Sequence, residues 1–133
     1  MGNVTRILVS DDFAPFREWV AATLKDQPNW LIIGEASDGA ETIQKAQKLR
    51  PDLILLDLNM PKLTGVQAAK EIIATIPETK ILVLSQHNDP DVVDAALSEG
   101  VRGFVLKSCA NSELVPAIQA ILRGEKFVSR RSP

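Results

Sequence analysis

Five short runs of apolar, mostly branched residues punctuate the chain. They are Ile7-Leu8-Val9, Leu31-Ile32-Ile33, Leu53-Ile54-Leu55-Leu56, Ile81-Leu82-Val83-Leu84 and Phe104-Val105-Leu106. None alternates with polar residues, so each reads as a strand buried on both faces, the habit of parallel sheets. Between them lie longer stretches whose apolar residues recur three and four apart. Val92, Val93, Ala96 and Leu97 form one such stripe, and Leu114, Val115, Ile118, Ile121 and Leu122 another. The pattern predicts strands from Arg6 to Ser10, Leu31 to Ala36, Leu53 to Asp57, Ile81 to Ser85 and Gly103 to Leu106. It predicts helices from Phe13 to Lys25, Gly39 to Leu49, Thr64 to Ile76, Pro90 to Glu99 and Asn111 to Arg123. Breakers agree with these borders: Pro51 and Pro61 bracket the third strand, Pro77 and Gly100 end the third and fourth helices, and Asp89 before Pro90 reads as an N-cap. Repeated βα units imply an α/β fold, a doubly wound parallel sheet with helices on both faces.

The candidate chemistry sits at the strand ends. Asp11-Asp12 comes directly after the first strand and Asp57 closes the third; Ser85 ends the fourth and Lys107 comes directly after the fifth. An open α/β sheet places its ligand outside the carboxyl ends of its strands, so these side chains are expected at one edge. Three carboxylates so close repel one another. A hard divalent cation such as Mg²⁺ relieves that repulsion, taking oxygen ligands from one or two carboxylates and a phosphate.

Size and charge narrow the field. At 133 residues the chain is one domain with a real core, able to bury roughly two-thirds of its unfolded surface. A net charge of −2 leaves no electrostatic footprint for direct nucleic-acid binding. The apolar runs are too short to span a bilayer, and the first residues have the shape neither of a signal peptide nor of a myristoylation site, so no membrane role is expected. One cysteine, Cys109, and one histidine, His87, exclude an internal disulfide and argue against a zinc site, which suits a cytoplasmic protein. Cys109 reads as a small helix-start residue; Trp19 and Trp30 read as packing.

An acidic pair, a lone Asp, a hydroxyl and a Lys, each ending a different buried strand in this order, resemble the receiver domain of two-component response regulators. The resemblance covers about residues 5 to 125. The segments Gly103-Phe104-Val105-Leu106-Lys107 and Leu122-Arg123-Gly124-Glu125-Lys126-Phe127-Val128 are most similar to receivers that precede a helix-turn-helix DNA-binding output domain, the NarL/FixJ type. It implies a flavodoxin-like sheet of five parallel strands in the order 2-1-3-4-5, with five helices. It also implies that the chain is a regulatory domain, not an enzyme in its own right. Asp57 is then the phosphorylation site, a carboxylate nucleophile that holds phosphorus as an acyl phosphate. Asp11, Asp12, Asp57 and the backbone carbonyl of Asn59 hold Mg²⁺, with Mn²⁺ as a substitute. Lys107 pairs with phosphoryl oxygens. Ser85 is the switch hydroxyl, and Phe104 is the switch aromatic that packs into the space Ser85 leaves. The implied partners are a sensor histidine kinase, a second copy of the domain in a phosphorylation-dependent homodimer, and DNA only through a C-terminal domain.

Several residues depart from the family pattern. Phe104 stands where many members have Tyr, so it keeps packing and loses a hydroxyl. Ser108 follows Lys107 where many have Pro, and no cis peptide is expected there. Gln86 takes a place where small residues are frequent and is expected to narrow access to Asp57. Asn59 and His87 occupy positions that tune dephosphorylation in this family. Each site residue also has an ordinary structural use: Asp57 as a loop cap, Asp12 as the N-cap of the first helix, Lys107 as a solvated surface residue and Phe104 as core.

Residues 1–125 are thus assigned to the receiver domain. Residues 126–133 are assigned to the start of a linker toward a C-terminal DNA-binding domain, in which Phe127-Val128 has no core of its own. Three rivals compete with this assignment. A haloacid-dehalogenase-like phosphatase needs a second Asp two residues after the nucleophile, where this chain has Asn59. A nucleotide or flavin module lacks its glycine-rich phosphate loop here. A phosphorylation-independent scaffold requires Gln86 or Ser108 to disable the site.

Overall fold

The computed structural model describes residues 4–60, 63–86 and 89–129. The elements run β1 (Thr5–Ser10), α1 (Ala14–Leu24), β2 (Trp30–Ala36), α2 (Gly39–Leu49), β3 (Leu53–Asp57), α3 (Gly65–Thr75), β4 (Lys80–Ser85), α4 (Pro90–Ser98), β5 (Gly103–Leu106), a 3₁₀ turn (Lys107–Cys109), α5 (Ala110–Leu122) and β6 (Phe127–Val128). The five expected strands and five expected helices are all present. The strands form one sheet in the order β2-β1-β3-β4-β5-β6, with every pairing parallel. β3 is central, and all five of its residues are buried.

Alternation along each strand divides the core in two. Ile7, Val9, Leu53, Leu55, Leu82, Leu84 and Val105 face α1 and α5, where they meet Val20, Leu24, Leu114, Ile118 and Ile121. Leu8, Ile54, Leu56, Ile81, Val83 and Phe104 face the other way, toward Ala46, Ala69, Ile72 and Ala96 of α2, α3 and α4. The runs of β1, β3, β4 and β5 are continuous because both faces are covered; β2 departs from that expectation, since it lies at the sheet edge with Leu31 54% exposed. Trp19 and Trp30 pack on the first layer as expected. The α4 stripe is narrower than its sequence suggests, since Val92 is exposed and Ala96 is its buried residue.

Helix starts follow local chemistry. Asp38 caps α2 by accepting from Glu41 N–H at 2.7 Å, while the Glu41 carboxylate reaches back to Ser37 N–H at 2.7 Å. Thr64 and Gln67 form a capping box at α3. Asp89 caps α4, accepting from Asp91 N–H with Pro90 in the first turn. α1 differs from the expectation that Asp12 caps it. Its N-cap residue is Phe13, with no side-chain cap, and Asp11 is the carboxylate that accepts from Phe13 N–H, at 2.9 Å.

Two helix ends share one device. After α4, Gly100 at φ +104° donates to Leu97 O and Val101 N–H to Ala96 O. After α5, Gly124 at φ +89° donates to Ile121 O and Glu125 N–H to Ala120 O. Both are Schellman ends, which need a left-handed residue and so favour glycine. The second reverses the chain and lays β6 along β5. This corrects the strand count from five to six and revises the expectation for Phe127-Val128. Phe127 packs against the α1/α5 layer, Phe127 N–H donates to Arg102 O at 3.2 Å, and Ser129 N–H donates to Phe104 O at 2.8 Å. The sequence run is too short to announce a strand. An existing edge at β5 and a turn that aims at it supply what the run lacks.

Gly65 places α3 hard against the end of β3: a Cβ there would lie 2.5 Å from both Asp57 O and Leu58 Cα, neither of which can move without shifting the strand end. At Gly124 a Cβ would meet nothing within 4 Å, leaving only the cost of its φ. Gly65→Ala is therefore expected to lose about 2 kcal/mol or more in urea denaturation. Gly124→Ala is expected to lose only about 1 kcal/mol.

Candidate functional site

Sheet register assembles the site. Ser10 pairs with Leu56 across β1 and β3, so Asp11 and Asp57 follow at the same level. Asp57 pairs with Leu84, and Ser85 with Leu106, so Ser85 and Lys107 leave the sheet one step further on. The carboxylates of Asp11, Asp12 and Asp57 offer ligand oxygens that all lie within 4.8 Å of one another. Two of the three are almost without water: Asp11 is 1% exposed and Asp57 3%.

Asp11 is held from several sides. Its Oδ1 accepts from Phe13 N–H, and its backbone carbonyl accepts from Arg17 Nη1 at 2.6 Å. Arg17 is itself fixed by Glu35 at 2.8 Å. Asp11 Oδ2 is buried and has no hydrogen bond. Its neighbour is the Lys107 ammonium at 2.6 Å, a charge contact and not an aligned donor. The same ammonium is 3.7 Å from Asp57 Oδ2 and 4.5 Å from the centre of the Phe16 ring. Asp57 Oδ1 accepts from Asn59 N–H at 3.1 Å.

Burial is the largest influence on the Asp57 carboxyl and pushes its pKa above the ordinary carboxylate range. The Asn59 N–H opposes that rise, Asp11 adds to it, Lys107 opposes it and Asp12 adds to it. The donor set suits a hard cation: oxygens only, crowded, and including a buried oxygen that no hydrogen bond satisfies.

A cleft of about 330 Å³ opens above Asp57, lined by Asp12, Phe13, Asp57, Asn59, Gln86 and Lys107. Asp12 is exposed on its wall and Gln86 on its rim. Ser85 is buried at the end of β4. Phe104 is also buried, within the layer of the core that faces α2, α3 and α4. His87 lies outside the described residues. Three neighbours belong to no motif that the sequence shows. They are Phe13, which is 59% exposed at the lip of the cleft, Phe16 under Lys107 and Arg17 behind Asp11. Their spacing after Asp11-Asp12 places Phe13 at the N-cap of α1 and Phe16 and Arg17 in its first turn. Which of them turn toward the site depends on how α1 lies on the sheet.

Residues 7–119 match the response regulator receiver domain family. The chain belongs to that family. Among curated relatives, this receiver domain is 34% identical over 126 residues to the transcriptional regulatory protein DegU of Brevibacillus brevis, covering 95% of this chain and 53% of that protein. It is 39% identical over 120 residues to the transcriptional regulatory protein LiaR of Bacillus subtilis, covering 90% and 57%. The chain thus spans about half the length of the curated relatives it matches. Among solved structures, a LuxR-family two-component response regulator from Aurantimonas sp. SI85-9A1 superposes with a TM-score of 0.89 at 30% identity, over 94% of this chain and 89% of that one. The signal receiver domain of the response regulator NarL from Mycobacterium tuberculosis does so with 0.87 at 34%, over 93% and 100%. The relatives are regulatory proteins, and the receiver is a regulatory domain of the NarL/LuxR type. No helix among the described residues is long and apolar enough to cross a membrane.

The Asp57 shift has a consequence for stability. A raised pKa means that the folded receiver binds this proton more tightly than the unfolded chain does. Asp57 therefore costs nothing below the ordinary carboxylate range. It destabilises increasingly as pH climbs through that range to the raised value. Asp57→Asn is expected to raise Tm by a few degrees near pH 7. The gain is expected to disappear near about pH 3, as followed by circular dichroism melts across that range.

Proposed function

We propose that this receiver is a phosphoacceptor switch whose acceptor is Asp57. The observation that supports the reading best is the grouping of Asp11, Asp12, Asp57 and Lys107 at one cleft, with Asp57 closing the central strand. An Asp57 carboxylate oxygen attacks the phosphorus of a phosphohistidine on a sensor kinase. The P–O bond forms as the P–N bond breaks, and the electron pair leaves with the imidazole nitrogen, which takes a proton from solvent. The product is an acyl phosphate on Asp57.

The carboxylates of Asp11, Asp12 and Asp57 with the Asn59 carbonyl would hold Mg²⁺, or Mn²⁺ in its place; when bound, the ion neutralises charge on the phosphoryl group. Lys107 leaves Asp11 to pair with a phosphoryl oxygen. Ser85 donates its hydroxyl to another, and Phe104 repacks into the space Ser85 leaves. Asn59, Gln86 and His87 tune how readily water reaches the acyl phosphate.

New charge and hydrogen bonds at one site bias the domain between two states. The face formed by α4, β5 and α5 carries that bias outward, toward a homodimer and a DNA-binding output domain reached through the segment from residue 126 onward. The relatives' names as transcriptional regulators support this direction. DNA is then contacted through the output domain alone, in the cytoplasm.

Intact mass after incubation with acetyl phosphate and Mg²⁺ tests the proposal. One phosphoryl adduct is expected, absent in Asp57→Asn and absent with EDTA. An adduct that survives in Asp57→Asn, or none on a folded wild type with either acetyl phosphate or a phosphorylated kinase, would refute it.

A further inference from the structure

We infer that Phe16 is a positioning residue for Lys107, holding the ammonium on an aromatic face while it passes from Asp11 to the group formed on Asp57. This rests on the phosphoacceptor reading above and deepens it. Among the described residues, the Lys107 ammonium lies 2.6 Å from Asp11 Oδ2, 3.7 Å from Asp57 Oδ2 and 4.5 Å from the centre of the Phe16 ring. Its side chain is only 12% exposed, so little water compensates when one partner is given up.

An ammonium shared by two carboxylates must lose part of one pairing to strengthen the other. A ring face offers attraction that does not depend on which carboxylate is nearer, because the quadrupole draws the charge without specifying a hydrogen-bond direction. A leucine of similar bulk offers no such attraction. Phe16 is itself anchored: it packs on the α1/α5 layer and stacks with Trp19, with ring centroids 5.6 Å apart and planes at 30°. The ring is thus a fixed surface, and α1 supplies it from the turn after the acidic pair. Arg17, next in the chain, fixes the Asp11 carbonyl, so adjacent α1 residues support both members of the Asp11–Lys107 pair.

The test compares wild type with Phe16→Leu, which keeps apolar bulk, and Phe16→Tyr, which keeps the ring face. Lysine labelled at Cε reports the ring directly, since a proton held over an aromatic face resonates upfield. The wild type and Phe16→Tyr are expected to share an upfield Lys107 Cε-proton shift that Phe16→Leu lacks. Phosphorylation by acetyl phosphate, followed by intact mass at saturating donor and Mg²⁺, is expected to slow about threefold to tenfold in Phe16→Leu and to be restored in Phe16→Tyr. KM for acetyl phosphate should stay near the wild-type value, since the ring does not touch the donor. Equal shifts in all three proteins would overturn the placement. Equal rates in all three, or equal slowing in both variants, would overturn the role. If the wild type gains no adduct from any donor, the phosphoacceptor reading fails and the role fails with it. The proton shifts still decide whether the ring places the lysine.

Discussion

An acidic cluster that the sheet cannot avoid governs this receiver. Parallel strands end at one edge, and β1 and β3 are neighbours in register, so Asp11 and Asp57 emerge side by side from the most buried part of the molecule. Burial and mutual repulsion both penalise the pair. Asp12 adds to that penalty, while other neighbours work against it. The Phe13 and Asn59 amides donate to it, Lys107 brings an ammonium within 2.6 Å of Asp11, and Arg17 and Phe16 fix the surroundings. The compensation is partial, since the Asp57 pKa remains raised. A site left with excess negative charge is one that gains from a cation, and that is the physical link between a parallel sheet and a receiver's acidic pocket.

The lysine is placed by a different part of the fold. β5 is short and its last residue pairs with Ser85, so Lys107 enters the cleft from the strand furthest from Asp11 among those that build the site. β6 now covers the outer edge of β5. Ser129 Oγ accepts from Leu106 N–H at 3.0 Å and donates to the Glu113 carboxylate of α5. The backbone immediately before Lys107 is therefore tied to the segment that leaves α5. Edge strands left bare invite pairing with other chains, and even a two-residue strand occupies that edge here.

Gly65 and the helix caps hold the other side of the cleft. The Thr64–Gln67 capping box starts α3 at the point where Gly65 lets its backbone meet Asp57 O and Leu58. Asn59 lies two residues past the end of β3, whose last carbonyl and the following Leu58 lie close to Gly65. Its amide keeps aim at Asp57 Oδ1 without a side chain to steer it.

Much was legible in the residues alone. Unbroken apolar runs marked the strands, four of them because burial on both faces forbids alternation and β2 as a half-covered edge, and caps such as Asp89-Pro90 act over three or four residues and so are local signals. The polar residues at the strand ends pointed to one edge of the sheet, where an α/β sheet places its ligands, and Asp11, Asp12, Asp57 and Lys107 do meet there. Other features were decided only in three dimensions. Asp12 reads as the cap of α1 in the sequence, but the helix begins after Phe13 without a side-chain cap, and Asp11 accepts from Phe13 N–H instead. Phe127-Val128 became a strand because a Schellman turn delivered it to an open edge. Lys107 settled nearer Asp11 than Asp57, with Phe16 beneath it, through distances between elements at opposite ends of the chain, where pattern carries no information. Local chemistry determined which residues could serve, and long-range packing determined which of them meet.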